Sequence, residues 1–255
     1  MVKIDLKQSM RTNMLNDLAL GVKYFIKGFT LLSHRQLRPY VIIPLIINVL
    51  LFISMIFCAK HYFGSFVDWI DGYLPTWLHF INWLLWGIFI SVFYLVIVYS
   101  FVIFANIIGS PFNSFLAEKT ELLVKFNCKV EDGGWRDFIK DLPRTLRREV
   151  RKLLYYIPLL LIFLILFIIP VIHIFAGFLW FLFSAWMLAI QYIDYPFDNH
   201  KVAFAQMKVM LSQRRLLCLS FGSLSLLASL IPILNFVVMP ASVIGATIMW
   251  QTEFS

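Results

Sequence analysis

The chain has 255 residues, 61% hydrophobic and only 14% charged, with a mean hydropathy of +0.82 and a formal net charge of +8. A water-soluble domain carries about 25% charged residues and no more than about 50% apolar ones, so lipid must solvate much of this surface. The positive charge does not point to nucleic acid, because the basic residues flank apolar runs, and the scattered Cys58, Cys128 and Cys218 make neither a disulfide framework nor a metal cluster.

Residues 13–32 come first. Leu15, Leu18, Ala19, Val22, Phe25, Ile26 and Phe29 recur with helical period, with Lys23 and Lys27 outside their face. This is an amphipathic helix, lying either on the membrane surface or on the protein's own cytoplasmic face. The first twenty residues lack a continuous apolar core and a small-residue cleavage site, so no cleaved signal peptide is expected.

The run 39–59 is uncharged and bracketed by Arg38 and Lys60. At about 1.5 Å per residue it spans a hydrocarbon layer of about 30 Å. Pro39 suits a first helical turn, and Pro44 predicts a slight kink. The run 77–108 is longer than one crossing needs and must tilt or project into water, with Trp77, Trp83 and Trp86 as interfacial anchors. Residues 113–152 are polar, and within them Arg144, Arg147, Arg148 and Arg151 share a helical face. That stripe reads as a headgroup-binding face or as an anion-attracting vestibule.

Two further apolar regions, 153–193 and 216–252, share a design: Ile169-Pro170 interrupts the first and Ile231-Pro232 the second. Each predicts a hairpin whose arms are short for the ~17–25 residues that a crossing needs. Both are therefore expected to be re-entrant and half-penetrating, which requires tips buried in protein or lining a wet cavity. All basic residues but Lys60 fall in 1–38, 113–152 and 194–215, so the positive-inside rule places both termini in the cytoplasm. The expected fold is an all-α integral membrane protein forming a single membrane domain over 1–255. It has two long transmembrane helices, two re-entrant hairpins and amphipathic surface helices.

Enzyme chemistry finds no foothold. There is no G-x-x-x-x-G-K-[ST], no H-E-x-x-H and no G-x-S-x-G, and no catalytic residue, metal site or cofactor is expected. Asp194, Asp198 and His200 form the tightest ionisable cluster, but their spacing is unspecific, and Tyr195-Pro196 favours a structural or capping role. His173, in an apolar hairpin tip, reads as a neutral, hydrogen-bonded histidine ahead of a functional one.

The best anion-binding feature is Ser33-His34-Arg35-Gln36-Leu37-Arg38-Pro39, which joins the amphipathic helix to the first transmembrane helix. A helix N-terminus offers backbone N–H groups and partial positive charge, and Arg35 and Arg38 add guanidinium forks matched to oxygen pairs. No carboxylate interrupts the segment, which suits a fully ionised oxyanion. The plainer reading is two arginines snorkelling to headgroups.

The run Trp180 to Tyr192 followed by Asp194-Tyr195-Pro196-Phe197-Asp198-Asn199-His200-Lys201 resembles the signature of the bacterial CysZ sulfate permeases. So do Ser110-Pro111-Phe112-Asn113 with Leu116-Ala117-Glu118, and Ile42-Ile43-Pro44-Leu45. The resemblance covers nearly the whole chain. It implies inner-membrane uptake of sulfate for assimilation into cysteine, by a homo-oligomer among membrane lipids with two long helices and two half-penetrating hairpins. The family's sulfate site, a Gly-Leu-Arg-Arg type motif, corresponds here to Gln36-Leu37-Arg38-Pro39, so only Leu37 and Arg38 carry over. Gln36 stands in place of glycine and Pro39 in place of the second arginine, with Arg35 as a possible replacement donor. The sulfate-binding residues expected are therefore Arg35, Gln36, Leu37 and Arg38. Rival readings are transport of another oxyanion, such as sulfite or thiosulfate, and a non-transporting membrane scaffold.

Overall fold

The computed structural model describes the backbone of residues 2–72, 82–126 and 135–255. Among them run eight helices: α1 (Val2–Leu32), α2 (Arg38–Asp71), α3 (Asn82–Phe126), α4 (Trp135–Ile168), α5 (Pro170–Asn199), α6 (Phe204–Gln213), α7 (Arg215–Ser229) and α8 (Pro232–Glu253). Trp77 and Cys128 lie outside the described residues, as does the side chain of His173.

The apolar run 39–59 lies within α2, which continues to Asp71, and Pro44 sits inside it. The second run continues as α3 through Pro111 to Phe126. In α4 a basic, polar first half passes without a break into an apolar second half. Four helical segments are long and apolar enough to cross a membrane by length and composition: Arg38–Cys58, Pro143–Ile168, Ile174–Asn199 and Pro232–Glu253. The chain is a multi-pass membrane protein.

The two Ile-Pro steps turn the chain in the same way. Ile169 has φ −80° and ψ 115° before Pro170, and Ile231 has φ −88° and ψ 112° before Pro232. Proline's Cδ pushes the preceding residue out of the helical region, while proline itself is preformed for the first turn of the next helix. One local constraint therefore ends α4 and starts α5, and another ends the α7 segment and starts α8.

The chain divides into two compact units. The unit Ile43–Gly109 holds most of α2 and the first part of α3. Along α2 the large apolar side chains Ile46, Leu50, Ile53 and Phe57 are exposed, as a lipid-solvated helix requires. Its hydroxyls close onto their own helices: Ser54 Oγ donates to Leu50 O and Ser91 Oγ to Gly87 O, each at 2.8 Å. Each of these two hydroxyls is thereby satisfied within its own helix.

The other unit joins Met1–Ile42 with Ser110–Ser255. In it α1 packs against α7 and α8, and α5 packs against α4, α7 and α8. Fully buried Leu37, Leu116, Ile190, Phe197, Leu217, Phe221 and Ile244 belong to one hydrophobic core. Backbones approach closely at glycines. A Cβ on Gly28 would overlap Ala241 O, and one on Gly222 would overlap Ala185 O. Small residues at crossings are how helices associate in lipid, where apolar burial gives little drive. Asp17 pairs with Arg214, Tyr24 bonds Glu253 and Gly28 meets Ala241, so α1 tracks the α7–α8 hairpin from its open end towards its tip.

This packing uses an unexpected face of α1. Gly21, Tyr24 and Gly28 point inward, whereas Leu15, Leu18, Val22 and Ile26 stay exposed. Of the apolar stripe seen in the sequence, Leu15, Leu18, Val22 and Ile26 thus form the outer face of α1, whereas Phe25 packs on the core beside Phe221.

Candidate functional site

After Leu32 the chain makes a tight turn centred on His34. The His34 amide donates to Leu31 O at 2.9 Å, and the His34 carbonyl accepts the amides of Leu37 at 3.0 Å and Arg38 at 3.2 Å. The Gln36 amide donates to His34 Nδ1 at 3.4 Å. Three N–H groups that might grip an oxyanion are therefore engaged within the turn itself. Leu37 anchors the turn in the core, whereas Arg35 and Arg38 are exposed and Gln36 is half-buried. Arg38 Nε donates to Ser33 O at 2.9 Å, which holds the base of its guanidinium while the side chain stays exposed. The structure brings Arg35, Gln36, Leu37 and Arg38 into one turn that exposes the two arginine side chains while its amides are engaged within it.

A second polar assembly lies between α3, α4 and α5. Arg148 Nε donates to Asp194 Oδ1 at 2.8 Å, and its Nη2 lies 2.8 Å from the same oxygen as an ion pair. Arg148 Nη1 reaches Asp198 Oδ1 at 3.1 Å and Val202 O at 2.7 Å. Arg144 Nη1 pairs with Asp198 Oδ2 at 2.7 Å. Lys152 Nζ contacts Glu149 Oε1 at 2.6 Å and Asp194 Oδ2 at 3.3 Å, and sits 4.9 Å from the centre of the Tyr195 ring. From α3, Ser110 Oγ donates to Glu149 Oε1 at 2.7 Å, and Ser114 Oγ donates to Asn199 Oδ1 at 2.6 Å.

The turn after α5 presents the Val202 carbonyl to Arg148. Lys201 adopts φ 58°, and the amides of Lys201 and Val202 bond back to Asp198 O and Phe197 O. This is a left-handed helix stop, here on a residue other than glycine. Asp194 and Asp198 thus fill a structural role, as expected from Tyr195-Pro196, although Pro196 lies inside α5 rather than in a turn. His200 instead points to α3, with Nε2 2.7 Å from Glu121 Oε2.

The arginine stripe of α4 is split. Arg144 and Arg148 turn inward to acids, and Arg147 and Arg151 remain exposed. Within-helix spacing did not single out Lys152 and Glu149. The available signal was complementary stripes: Arg144, Arg148 and Lys152 on one helix, four apart, and Asp194 and Asp198 on the next, also four apart.

A third cluster ties α1 to the hairpin that it follows. Arg214 Nη2 lies 2.7 Å from Asp17 Oδ1, Arg214 Nη1 lies 3.1 Å from Glu253 Oε2, and Tyr24 OH donates to Glu253 Oε1 at 2.5 Å. The bond to Asp17 holds the Arg214 guanidinium above its ordinary range. Burial, with the carboxylate beside it, pushes the Tyr24 hydroxyl up to about 12.

Residues 24–240 match the family described as Sulfate transporter CysZ/Etoposide-induced protein 2.4. The chain is 43% identical over 233 residues to the protein named Sulfate transporter CysZ of Pseudomonas fluorescens (strain Pf0-1), covering 91% of this chain and 93% of that one. It is 43% identical over 238 residues to the Sulfate transporter CysZ of Vibrio atlanticus, covering 92% and 93% of the two chains. With that of Pectobacterium atrosepticum it shares 41% identity over 235 residues, covering 92% and 85%. The matched residues include the Arg35–Arg38 turn and the network of α3, α4 and α5, and the chain belongs to the CysZ/Etoposide-induced protein 2.4 family.

Proposed function

We propose that this protein takes up sulfate across the bacterial inner membrane and supplies sulfur for assimilation into cysteine. The observation that carries the reading is the full-length similarity to relatives named as sulfate transporters. Arg35 and Arg38 are the first contacts in this reading, with Gln36 and Leu37 setting the turn that presents them. Sulfate keeps both negative charges at neutral pH, so two guanidinium forks on a carboxylate-free turn suit it.

The chain acts as one membrane domain among lipids, as a homo-oligomer, with its termini in the cytoplasm. The α4–α5 and α7–α8 hairpins enter the bilayer from that side and turn back within it. What supports this for the second is the short α7, with 15 residues, and for both the ionic clusters at their open ends. The arms of the first, 26 residues each, are longer than the sequence predicts. The exposed apolar stripe of α1 faces lipid.

Radiolabelled sulfate flux into liposomes containing only this protein tests the reading. Flux is expected to saturate with sulfate, whereas a scaffold gives none and a sulfite or thiosulfate carrier prefers its own ion. Arg38→Ala is expected to lose a charged hydrogen-bond donor at about 1.5–3 kcal/mol, roughly ten- to a hundredfold in sulfate affinity. Arg38→Lys should retain part of the affinity through charge without the fork geometry. Equal affinities in wild type and both variants would place the site elsewhere.

A further inference from the structure

In the buried network of α3, α4 and α5, one carboxylate is held differently from the other two. Asp194 and Asp198 are gripped by guanidinium groups, with side-chain exposures of 2% and 9%. Glu149 is held by the Lys152 ammonium at 2.6 Å and is 21% exposed. Its Oε1 accepts one hydroxyl, Ser110 Oγ of α3, and one ammonium, Lys152 Nζ of α4. A hydroxyl and an ammonium converging on a single oxygen form a donor set for an oxyanion.

Charge balance adds to this. Among the ion pairs of the described residues, Arg144, Arg148 and Lys152 face Glu149, Asp194 and Asp198. Lys152 is 1% exposed, and a buried ammonium needs a counter-charge close at hand. When the Glu149 side chain swings to its open side, Lys152 Nζ and Ser110 Oγ lose their shared acceptor, and Asp194 Oδ2 at 3.3 Å is the carboxylate that stays with Lys152.

We propose that Lys152 Nζ and Ser110 Oγ form a second oxyanion site and that Glu149 is its resident counter-anion, displaced by sulfate in transit. This rests on the sulfate-uptake reading. The tethered carboxylate competes with the arriving ion at high effective concentration, so the ion is held weakly and leaves readily. A conduction site needs that balance between entry and release.

The test is equilibrium binding of radiolabelled sulfate to purified wild type and Glu149→Gln, with melting temperatures and liposome flux measured on the same preparations. The carboxamide still accepts from Ser110 but no longer neutralises Lys152. Wild type is expected to saturate at a single tight sulfate per chain, and Glu149→Gln to bind a second tightly while its flux falls. A Glu149 that is only structural would give a lower melting temperature and no added sulfate, which overturns the proposal. Should Glu149→Gln fail to fold, Ser110→Ala decides, because it removes one neutral donor and leaves every charge in place. Its sulfate flux is expected to half-saturate at roughly five- to tenfold higher concentration, and an unchanged value overturns the site. Absence of flux in wild type, with the second sulfate still bound by Glu149→Gln, would overturn the uptake reading alone.

Discussion

The α4–α5 and α7–α8 hairpins turn on the same Ile-Pro step with backbone angles within a few degrees of each other, yet they are held together by different physics. At its open end the first is locked by Arg148, Lys152, Asp194 and Asp198, and nearer its tip by rings such as Phe163 and Phe183, 4.5 Å apart. The second is packed through small residues: Ser225 and Ser242 share a hydrogen bond of 3.0 Å, and Gly245 lies against the Tyr24 carbonyl. A turn is set by two adjacent residues, whereas cohesion depends on what each arm presents to its neighbours. Both hairpins carry an ion pair at the open end, Arg214 with Glu253 at 3.1 Å in the second. Only the first buries its charges between its arms, and only the second relies on close backbone contact along its length. That division suits a protein needing one polar element on a rigid support.

The largest expected effect separates the two kinds of cohesion. Arg148→Ala leaves Asp194 and Asp198 short of their main partner in a buried setting and should cost about 3–5 kcal/mol. Arg147→Ala, on the exposed flank of the same helix, should stay within about 0.5 kcal/mol. Denaturant unfolding in detergent micelles measures both. Similar losses in the two variants would mean that the charges of α4 act as a general field rather than as a specific lock.

Why one half of this contrast was readable from the sequence, and the other half was not, follows from the range of each interaction. Ile169-Pro170 and Ile231-Pro232 are local constraints, so both turns lay open to inspection. The apolar runs were equally plain, because lipid solvation needs only composition over about twenty residues. The inward face of α1 was not. Periodicity picked out Leu15, Leu18, Ala19, Val22, Phe25, Ile26 and Phe29, of which Phe25 does pack on the core. The closest contact, however, is made by Gly21, Tyr24 and Gly28, and close backbone approach leaves no hydrophobic signature. The arginines of α4 were seen as one face because their partners, Asp194 and Asp198, lie on another helix. At the Arg35–Arg38 turn the charges were legible, whereas the engagement of three amides by His34 depends on backbone geometry that no spacing rule encodes.

A middle-sized effect tests the second hairpin. Gly245→Leu places a branched side chain where even a Cβ would lie 2.5 Å from Tyr24 O. Overpacking of this kind costs typically 1–3 kcal/mol, and a backbone carbonyl as the obstacle puts the expectation near the top of that range. The loss should not change with salt, unlike perturbations among the more exposed ion pairs. A neutral Gly245→Leu would mean that α1 slides easily on α8 and that small-residue packing does not hold this hairpin.

The smallest effect concerns the tyrosine contact that helps fasten α1 to the open end of the second hairpin. Tyr24 OH donates to Glu253 Oε1, and Glu253 also keeps Arg214 at 3.1 Å. Tyr24→Phe therefore leaves no orphaned carboxylate, and the cost should be about 1.5 kcal/mol, the low end for a bond to a charged acceptor. The pH dependence supplies the sharper criterion. An unfolded tyrosine loses its proton near pH 10, whereas the folded Tyr24 keeps it up to about 12. Between those values the folded state binds more protons than the unfolded one, so stability falls as pH rises. The contribution is fully present below about pH 10 and is lost as pH climbs through about 12. Subtracting the Tyr24→Phe stability curve from that of wild type isolates this group from the other tyrosines. The difference should be flat to about pH 10 and then decline. A flat difference throughout would mean that Tyr24 is hydrated in the native protein, and that α1 is held at that end by Arg214 and Asp17 alone.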